Sequence, residues 1–284
     1  MKKFDPSLYF ITDSTGFTEE EFLFRVEQAL KGGATFLQLR EKNKSTREYI
    51  QLAEKVHAIA KRYNVPLIID DRIDVALAID AEGVHVGAED MPVATARKLM
   101  GDDKIVGATA KTVPWAKDAY EQGADYLGVG AIYPTTTKVK TVLTSTDTLR
   151  DICNAVPIPA NAIGGLNKDN IDVLTGIPIA GICVVSAIMK ADNPKTAAEE
   201  LKAPVMIQTT SSTIKYACAA TYAGIVKAEA ERASVPVCFH LDHGATEQEV
   251  QKALRWGATG IMYDGSVHSY EDNVAYTKHM VEIC

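Results

Sequence analysis

The sequence predicts an α/β protein: a (β/α)8 TIM barrel over residues 1–202, followed by an appended, incomplete (βα)3 segment over 203–284. Two observations carry that reading. Short apolar runs recur along the chain, as in Tyr126-Leu-Gly-Val-Gly-Ala-Ile132, and a run that is apolar on both faces belongs to a parallel sheet covered on both sides. Between the runs lie amphipathic stretches, such as 19–31 with Phe22, Val26 and Leu30 on one face. Strands alternating with helices at this spacing give a parallel sheet with right-handed crossovers.

In chain order the strands are predicted at 8–12, 36–39, 67–69, 83–86, 105–108, 126–132, 160–163 and 181–186, with helices over 19–31, 46–63 and 114–122 among the connections. Eight strands in about two hundred residues suffice to close a barrel. A doubly wound open sheet is the rival, and its dinucleotide-binding form is weakened because no GxGxxG turn follows the first strand. Residues 193–202 read as a last barrel helix, yet three more strands follow, at 205–208, 237–241 and 260–263. Helices to about 233, over 247–256 and over 273–283 accompany them. Three parallel βα units leave open edges and an apolar face. This segment is expected to pack on the barrel, to pair with another copy in a homo-oligomer, or to stay loosely folded. The structural alternative is a single mixed barrel in which tail strands displace some of the first eight.

The 284 residues are 46% hydrophobic and 24% charged, an ordinary globular composition. A net charge of −7 argues against general binding to nucleic acid or membrane surfaces. An anionic substrate has to be met by local cations or a metal. No apolar run approaches membrane-spanning length. The five cysteines, Cys153, Cys183, Cys218, Cys238 and Cys284, are scattered without CxxC pairing, and a reduced cytoplasm is the expected location.

Loops at the C-terminal ends of parallel strands are where such folds keep their chemistry. After the second strand come Gln38, Arg40 and Lys42, which a period of two places on one face. An inward Arg and Lys are costly unless an anion meets them. The third strand ends in Asp70-Asp71, and Asp90 follows the fourth; carboxylates at neighbouring strand ends suit Mg2+ that also takes diphosphate oxygens. Thr109 and Lys111 follow the fifth strand. The loop Pro134 to Lys138, with Thr135, Thr136, Thr137 and Lys138, offers hydroxyls, backbone N–H groups and an ammonium suited to a phosphate. Gly164-Gly165 after the seventh strand and Val185-Ser186 after the eighth stand where barrels bind phosphate. Singly, each carboxylate reads equally well as a helix cap or a surface charge. Gathered on one rim, they point to a phosphorylated small substrate.

The motifs LYFITD, QLREK, IIDDRIDVALA, GVHVGAEDM, GADYLGVGAIYPTTTK, AIGGLNKDNI and GICVVSAIMKADNP, in this order and spacing, resemble thiamine phosphate synthase from about Leu8 to Leu201. That family is a (β/α)8 barrel that joins a pyrimidine methyl diphosphate to a thiazole ethyl phosphate and releases diphosphate. The resemblance implies that Gln38, Arg40 and Lys42 bind the pyrimidine diphosphate together with Lys138, and that Asp71 and Asp90 hold Mg2+. It implies that Thr135 to Thr137, Gly165, Val185 and Ser186 contact the thiazole phosphate. The chain departs from the family pattern at Asp70, where asparagine is usual, at Thr109 for serine, at Lys111 for histidine, and at Ala160-Asn161 for two valines. Asp70 adds a negative charge beside the diphosphate, which Lys111 is placed to offset.

From about Ala197 onward, APVMIQTTSSTIKYA, SVPVCFHLDHG and GATGIMYDGSVHSYEDNVAYTK resemble class II, metal-dependent fructose- or tagatose-bisphosphate aldolases. That resemblance implies Asp242 as a proton-transferring acid and His243 as a ligand of Zn2+. It covers only three βα units, without the later histidines that complete such a zinc site. A catalytic zinc takes three protein ligands, and His240, three residues from His243 on a strand, is expected on the opposite face. The expected function is Mg2+-dependent thiamine phosphate synthesis by the barrel. The alternatives are a chimera with neither activity and a zinc-dependent aldolase.

Overall fold

Strand β1 (Leu8–Ile11) pairs in parallel with β2 (Phe36–Leu39) on one side and with β8 (Gly181–Val184) on the other. In the computed structural model, which describes residues 4–135, 142–202, 205–210, 219–232 and 237–284, these pairings close an eight-stranded parallel barrel. The remaining staves, in order, are β3 (Leu67–Asp70), β4 (Gly83–Val86), β5 (Ile105–Ala110), β6 (Tyr126–Gly130) and β7 (Ala160–Ile163).

Strand alternation sorts the barrel's apolar residues into two populations. Leu8, Phe10, Leu37, Leu39, Leu67 and Ile69 point outward to the helices and pack with Phe22, Val26, Leu52 and Val56. Tyr9, Ile11, Phe36, Ile68, Ile105, Tyr126 and Cys183 fill the interior. The outer helices begin where local chemistry stops the backbone donors from going unmet. The Thr18 hydroxyl accepts from the Glu21 N–H at the start of α1 (Glu19–Lys31). Ser45 and Glu48 form a reciprocal capping box at the start of α2 (Thr46–Arg62).

The barrel interior is aromatic below and open above. The Phe36 ring lies 4.5 Å from Tyr9 and 5.3 Å from Tyr126, and Phe4 stacks on it at 5.1 Å from the segment preceding β1. Asn161, the residue out of place in an apolar strand, is fully buried and donates its amide to the Pro6 carbonyl at 2.6 Å. It ties the entering segment to β7. Gly107 of β5 permits the Tyr126 ring, because a Cβ there would lie 2.1 Å from Tyr126 Cζ.

Several strand ends differ from the predicted bounds, and at β6 the contact responsible is visible. Strand β6 ends at Gly130 and not at 132, because Ala131 instead accepts from the Thr144 N–H at 2.8 Å. Past Asn167 the chain forms a 3-10 turn, Ile171–Leu174, where the Asn170 side chain donates to the Gly165 carbonyl and accepts from the Asn167 N–H.

The chain divides into two compact units, Met1–Leu201 and Lys202–Cys284. In the second, β9 (Val205–Thr210), β10 (Val237–Gly244) and β11 (Gly260–Tyr263) form a parallel sheet in the order β11-β10-β9. No strand of the first eight is displaced, so the mixed barrel is not what forms. Leu241 packs with Val250, Ala253 and Met280, and Phe239 with Ala223 and Val226, giving two small clusters in place of one core. Val267, Tyr270 and Val281 stay largely exposed. Among the described residues no helix is long and apolar enough to cross a membrane, and Cys153, Cys183, Cys238 and Cys284 are free thiols.

The clash at β5 gives a direct test of interior packing. Gly107→Ala is expected to destabilise the barrel by about 1–3 kcal/mol, as forced overpacking does, measured as a lower denaturant midpoint with an unchanged m-value.

Candidate active site

A cavity opens at the C-terminal ends of the barrel strands, above the aromatic interior. Of the residues the sequence singles out, Gln38, Arg40, Asp70, Thr109, Lys111, Thr135, Gly165, Val185 and Ser186 line it. Lys42 lines an adjoining groove that shares Arg40 and adds Lys44 and Lys190. Thr136, Thr137 and Lys138 lie outside the described residues. Only Gln38 of the QLREK motif is within β2; Arg40 and Lys42 follow its end. Gly165 has φ +65°, and a Cβ there would meet the Pro134 carbonyl oxygen at 2.8 Å, so glycine lets the two rim loops approach.

Charge at the rim is organised around Lys42. Its ammonium lies 2.8 Å from Asp70 Oδ2 and also pairs with Asp71. Arg40 Nε is 3.7 Å from the same Asp70 oxygen. The cations that meet Asp70 among the described contacts are therefore Lys42 and Arg40, where sequence reasoning assigned that task to Lys111. Burial pushes the Asp70 carboxyl above its ordinary range, against the pull of Lys42 and Arg40. Burial works to lower the Lys42 pKa, yet Asp70 and Asp71 together hold it above the usual lysine value.

Asp90 stands close enough to Asp71 for the two carboxyls to interact. Burial lifts Asp90 above its ordinary range and Asp71 lifts it further, while the Gly87 N–H donates to Asp90 Oδ2 at 2.8 Å. Asp71 itself adopts a left-handed φ of +59°, a conformation aspartate tolerates. With Asp71 disfavouring the ionisation of Asp90, the two carboxyls form a donor pair suited to a hard divalent cation. Among the described residues no three His, Cys, Asp or Glu side chains gather as a ligand cluster.

The cavity floor carries residues that sequence reasoning missed. Gln38 Nε2 donates to the Tyr9 hydroxyl at 2.7 Å, and Tyr9 and Tyr126 share a hydrogen bond of 2.6 Å. His85 bonds Tyr126 through Nδ1 at 3.0 Å and Thr109 through Nε2 at 3.1 Å. The available signal was polarity inside strands predicted to be buried on both faces: Tyr9 and His85 interrupt two such runs.

Residues 8–188 match the family model for thiamine monophosphate synthase. The chain belongs to this family. The thiamine-phosphate synthase 2 of Streptococcus pneumoniae serotype 4 is 52% identical over 186 residues, which span 66% of this chain and 89% of that protein. The thiamine-phosphate synthase of Methanobrevibacter smithii is 50% identical over 201 residues, 71% of this chain and 96% of that one. The thiamine phosphate pyrophosphorylase structure from Pyrococcus furiosus superposes with a TM-score of 0.64 at 40% identity, covering 69% of this chain and 94% of the other. By family the barrel is an enzyme, a transferase of thiamine biosynthesis.

Residues 178–284 match the model for class-II fructose-bisphosphate aldolase. This match begins earlier than the sequence motifs place it, ahead of β8. In this chain β8 and residues to 188 therefore answer to both family patterns. The aldolase-like residues lie on β10. His243 has φ +55°, and the pairing of β10 with β11 shifts register between Leu241 and Gly244. That irregularity breaks the alternation from which His240 and His243 were assigned to opposite faces. His243 Nδ1 is 2.8 Å from Asp264, and its Nε2 is 3.9 Å from Asp242.

The hydrogen bond to Asp264 raises His243 above the ordinary histidine value, with Asp242 adding to the effect. Asp264 is held below the carboxylate range by Ser266 first and then by His243. His243 is therefore expected to titrate above about 6.5, and Asp264→Asn to bring its midpoint down. Because the folded pKa is raised, whatever stability this exposed pair contributes is present below the unfolded pKa and lost as pH rises through the folded one. NMR titration of the His243 ring in both proteins checks this.

Proposed function

We propose that the barrel joins hydroxymethylpyrimidine diphosphate to thiazole phosphate with release of diphosphate, and that the reaction depends on Mg2+. The observation that supports this reading best is the rim itself: Arg40 and Lys42 converge on Asp70, and Lys42 also meets Asp71 of the Asp71–Asp90 pair, beside a cavity whose floor carries Gln38, Tyr9, His85 and Thr109. A diphosphate needs cations, and a flat neutral heterocycle needs a dry slot with few polar contacts.

The chemistry asks for no nucleophilic side chain. Departure of diphosphate from the aminopyrimidine methyl carbon leaves a resonance-stabilised cation, which the thiazole nitrogen captures. The protein's task is to neutralise the leaving group and to align the second ring. In this reading Arg40, Lys42 and Lys138 take the diphosphate, and Gln38 and Thr109 take the pyrimidine. Thr135, Thr136, Thr137, Gly165, Val185 and Ser186 take the thiazole phosphate. Asp71 and Asp90 would hold Mg2+, which when bound supplies charge neutralisation to diphosphate oxygens. The incoming diphosphate would share Lys42 and Arg40 with Asp70, and so meets a rim whose cations are already partly engaged.

The segment 203–284 has no assigned part in this reaction. Full-length protein and a chain ending at Lys202 are both expected to form thiamine phosphate from the two substrates with Mg2+, and to lose activity on chelation. Absence of product from both proteins would rule out the proposed reaction. Asp70→Asn, by removing one negative charge from the leaving-group site, is expected to raise kcat/KM for the pyrimidine diphosphate about threefold to tenfold, an effect of order 1 kcal/mol. Steady-state kinetics at fixed Mg2+ measures it.

A further inference from the structure

Four hydrogen bonds run under the cavity from Gln38 through Tyr9, Tyr126 and His85 to Thr109, linking β2, β1, β6, β4 and β5. Four of these five residues line the cavity; Tyr126 does not, and is fully buried beneath it. The proposed reaction uses the two ends of this chain and leaves its middle unexplained.

The direction of the chain follows from donor and acceptor chemistry. An amide nitrogen only donates, so the Tyr9 oxygen accepts from Gln38 Nε2. The Tyr9 proton then goes to Tyr126, whose oxygen lies 2.6 Å away. If Tyr126 donated to Tyr9 instead, the Tyr9 oxygen would accept twice and its own proton would be left without a partner in the interior, at the cost of an unmet buried donor. Burial lifts both phenols well above their ordinary range, so both keep their protons. Tyr126, having accepted from Tyr9, donates to His85 Nδ1. His85 is thereby the neutral tautomer with its proton on Nε2, and that proton is donated to Thr109 Oγ1. The Thr109 hydroxyl proton remains to be donated elsewhere, and Thr109 lines the cavity.

We propose that this chain is a one-way polarity device, in which Tyr126 and His85 are positioning residues that make the cavity present an acceptor, the Gln38 amide oxygen, and a donor, the Thr109 hydroxyl. An acceptor from β2 and a donor from β5, both facing one cavity, match an amino-substituted nitrogen heterocycle, whose exocyclic N–H donates and whose ring nitrogens accept. The ligand assignment rests on the functional reading above and deepens it: the device recognises the aminopyrimidine ring and not the phosphates. The arrangement also explains why β5 carries Gly107 against the Tyr126 ring, where any side chain would push the middle link out of line.

Two measurements test it. Nitrogen-15 NMR of His85 in the ligand-free wild-type protein is expected to show the neutral Nε2–H tautomer. Tyr126→Phe removes one hydroxyl that never touches the cavity. Calorimetric titration is expected to show about tenfold weaker binding of hydroxymethylpyrimidine diphosphate to this variant, with thiazole phosphate binding unchanged. An Nδ1–H tautomer in wild type overturns the device even if Tyr126→Phe fails to fold. Unchanged pyrimidine binding in the variant, or equal losses for both substrates, overturns the positioning role. No binding of the pyrimidine diphosphate to wild type overturns the functional reading and the ligand assignment with it, and is told apart by the His85 tautomer, which is read without ligand.

Discussion

Parallel pairing of Leu8, Tyr9 and Phe10 with Ile182, Cys183 and Val184 is the contact on which the rest of the first unit depends. It joins the last strand to the first and satisfies the backbone donors and acceptors that an open sheet would expose. Closure brings all eight strand ends to one rim, so that Arg40 after β2, Asp70 of β3 and Ser186 after β8 border one cavity although they are far apart in sequence. It also removes any edge that β9, β10 and β11 could extend. Among the described residues those strands pair with each other, in a sheet with two small apolar clusters.

Inside the closed sheet, space and polarity are divided sharply. Aromatic rings occupy the lower interior, where stacked and edge-on contacts near 5 Å fill the volume. Directly above them Gln38, His85 and Thr109 are joined through Tyr9 and Tyr126 by hydrogen bonds, and at the strand ends the buried Asp70 is met by Lys42 and Arg40. This arrangement follows from the cost of desolvating ions. Lys42, partly solvated, can bridge Asp70 and Asp71, whereas Gln38 and Thr109, deeper in, interact through neutral hydrogen bonds.

The overlap of the two family matches falls on β8. In this chain β8 has both of its edges filled, by β1 and by β7. The barrel therefore takes the strand that both families describe, and the aldolase-like remainder is left with three strands. A buried strand in an eight-stranded closure is worth more backbone pairing than the same strand at the edge of a four-stranded sheet, which is reason enough for this outcome.

The sequence alone determined the barrel, the order of its strands, the surplus of the tail and most of the rim. Apolar runs, helix periodicity and the polar positions at strand ends are local properties, set by a residue and its near neighbours. Other features depended on partners that no local pattern reveals. The Tyr9 hydroxyl meets a tyrosine 117 residues away, and Asp70 finds its cations on the neighbouring strand's loop and not at Lys111. Strand β6 stops at Gly130 because Thr144 binds its next carbonyl, and the irregular pairing at His243 breaks an alternation that the sequence would have continued. The tertiary structure decided these matters because hydrogen bonds and ion pairs are short-ranged and directional. Which groups meet is settled only when closure has fixed where each strand stands.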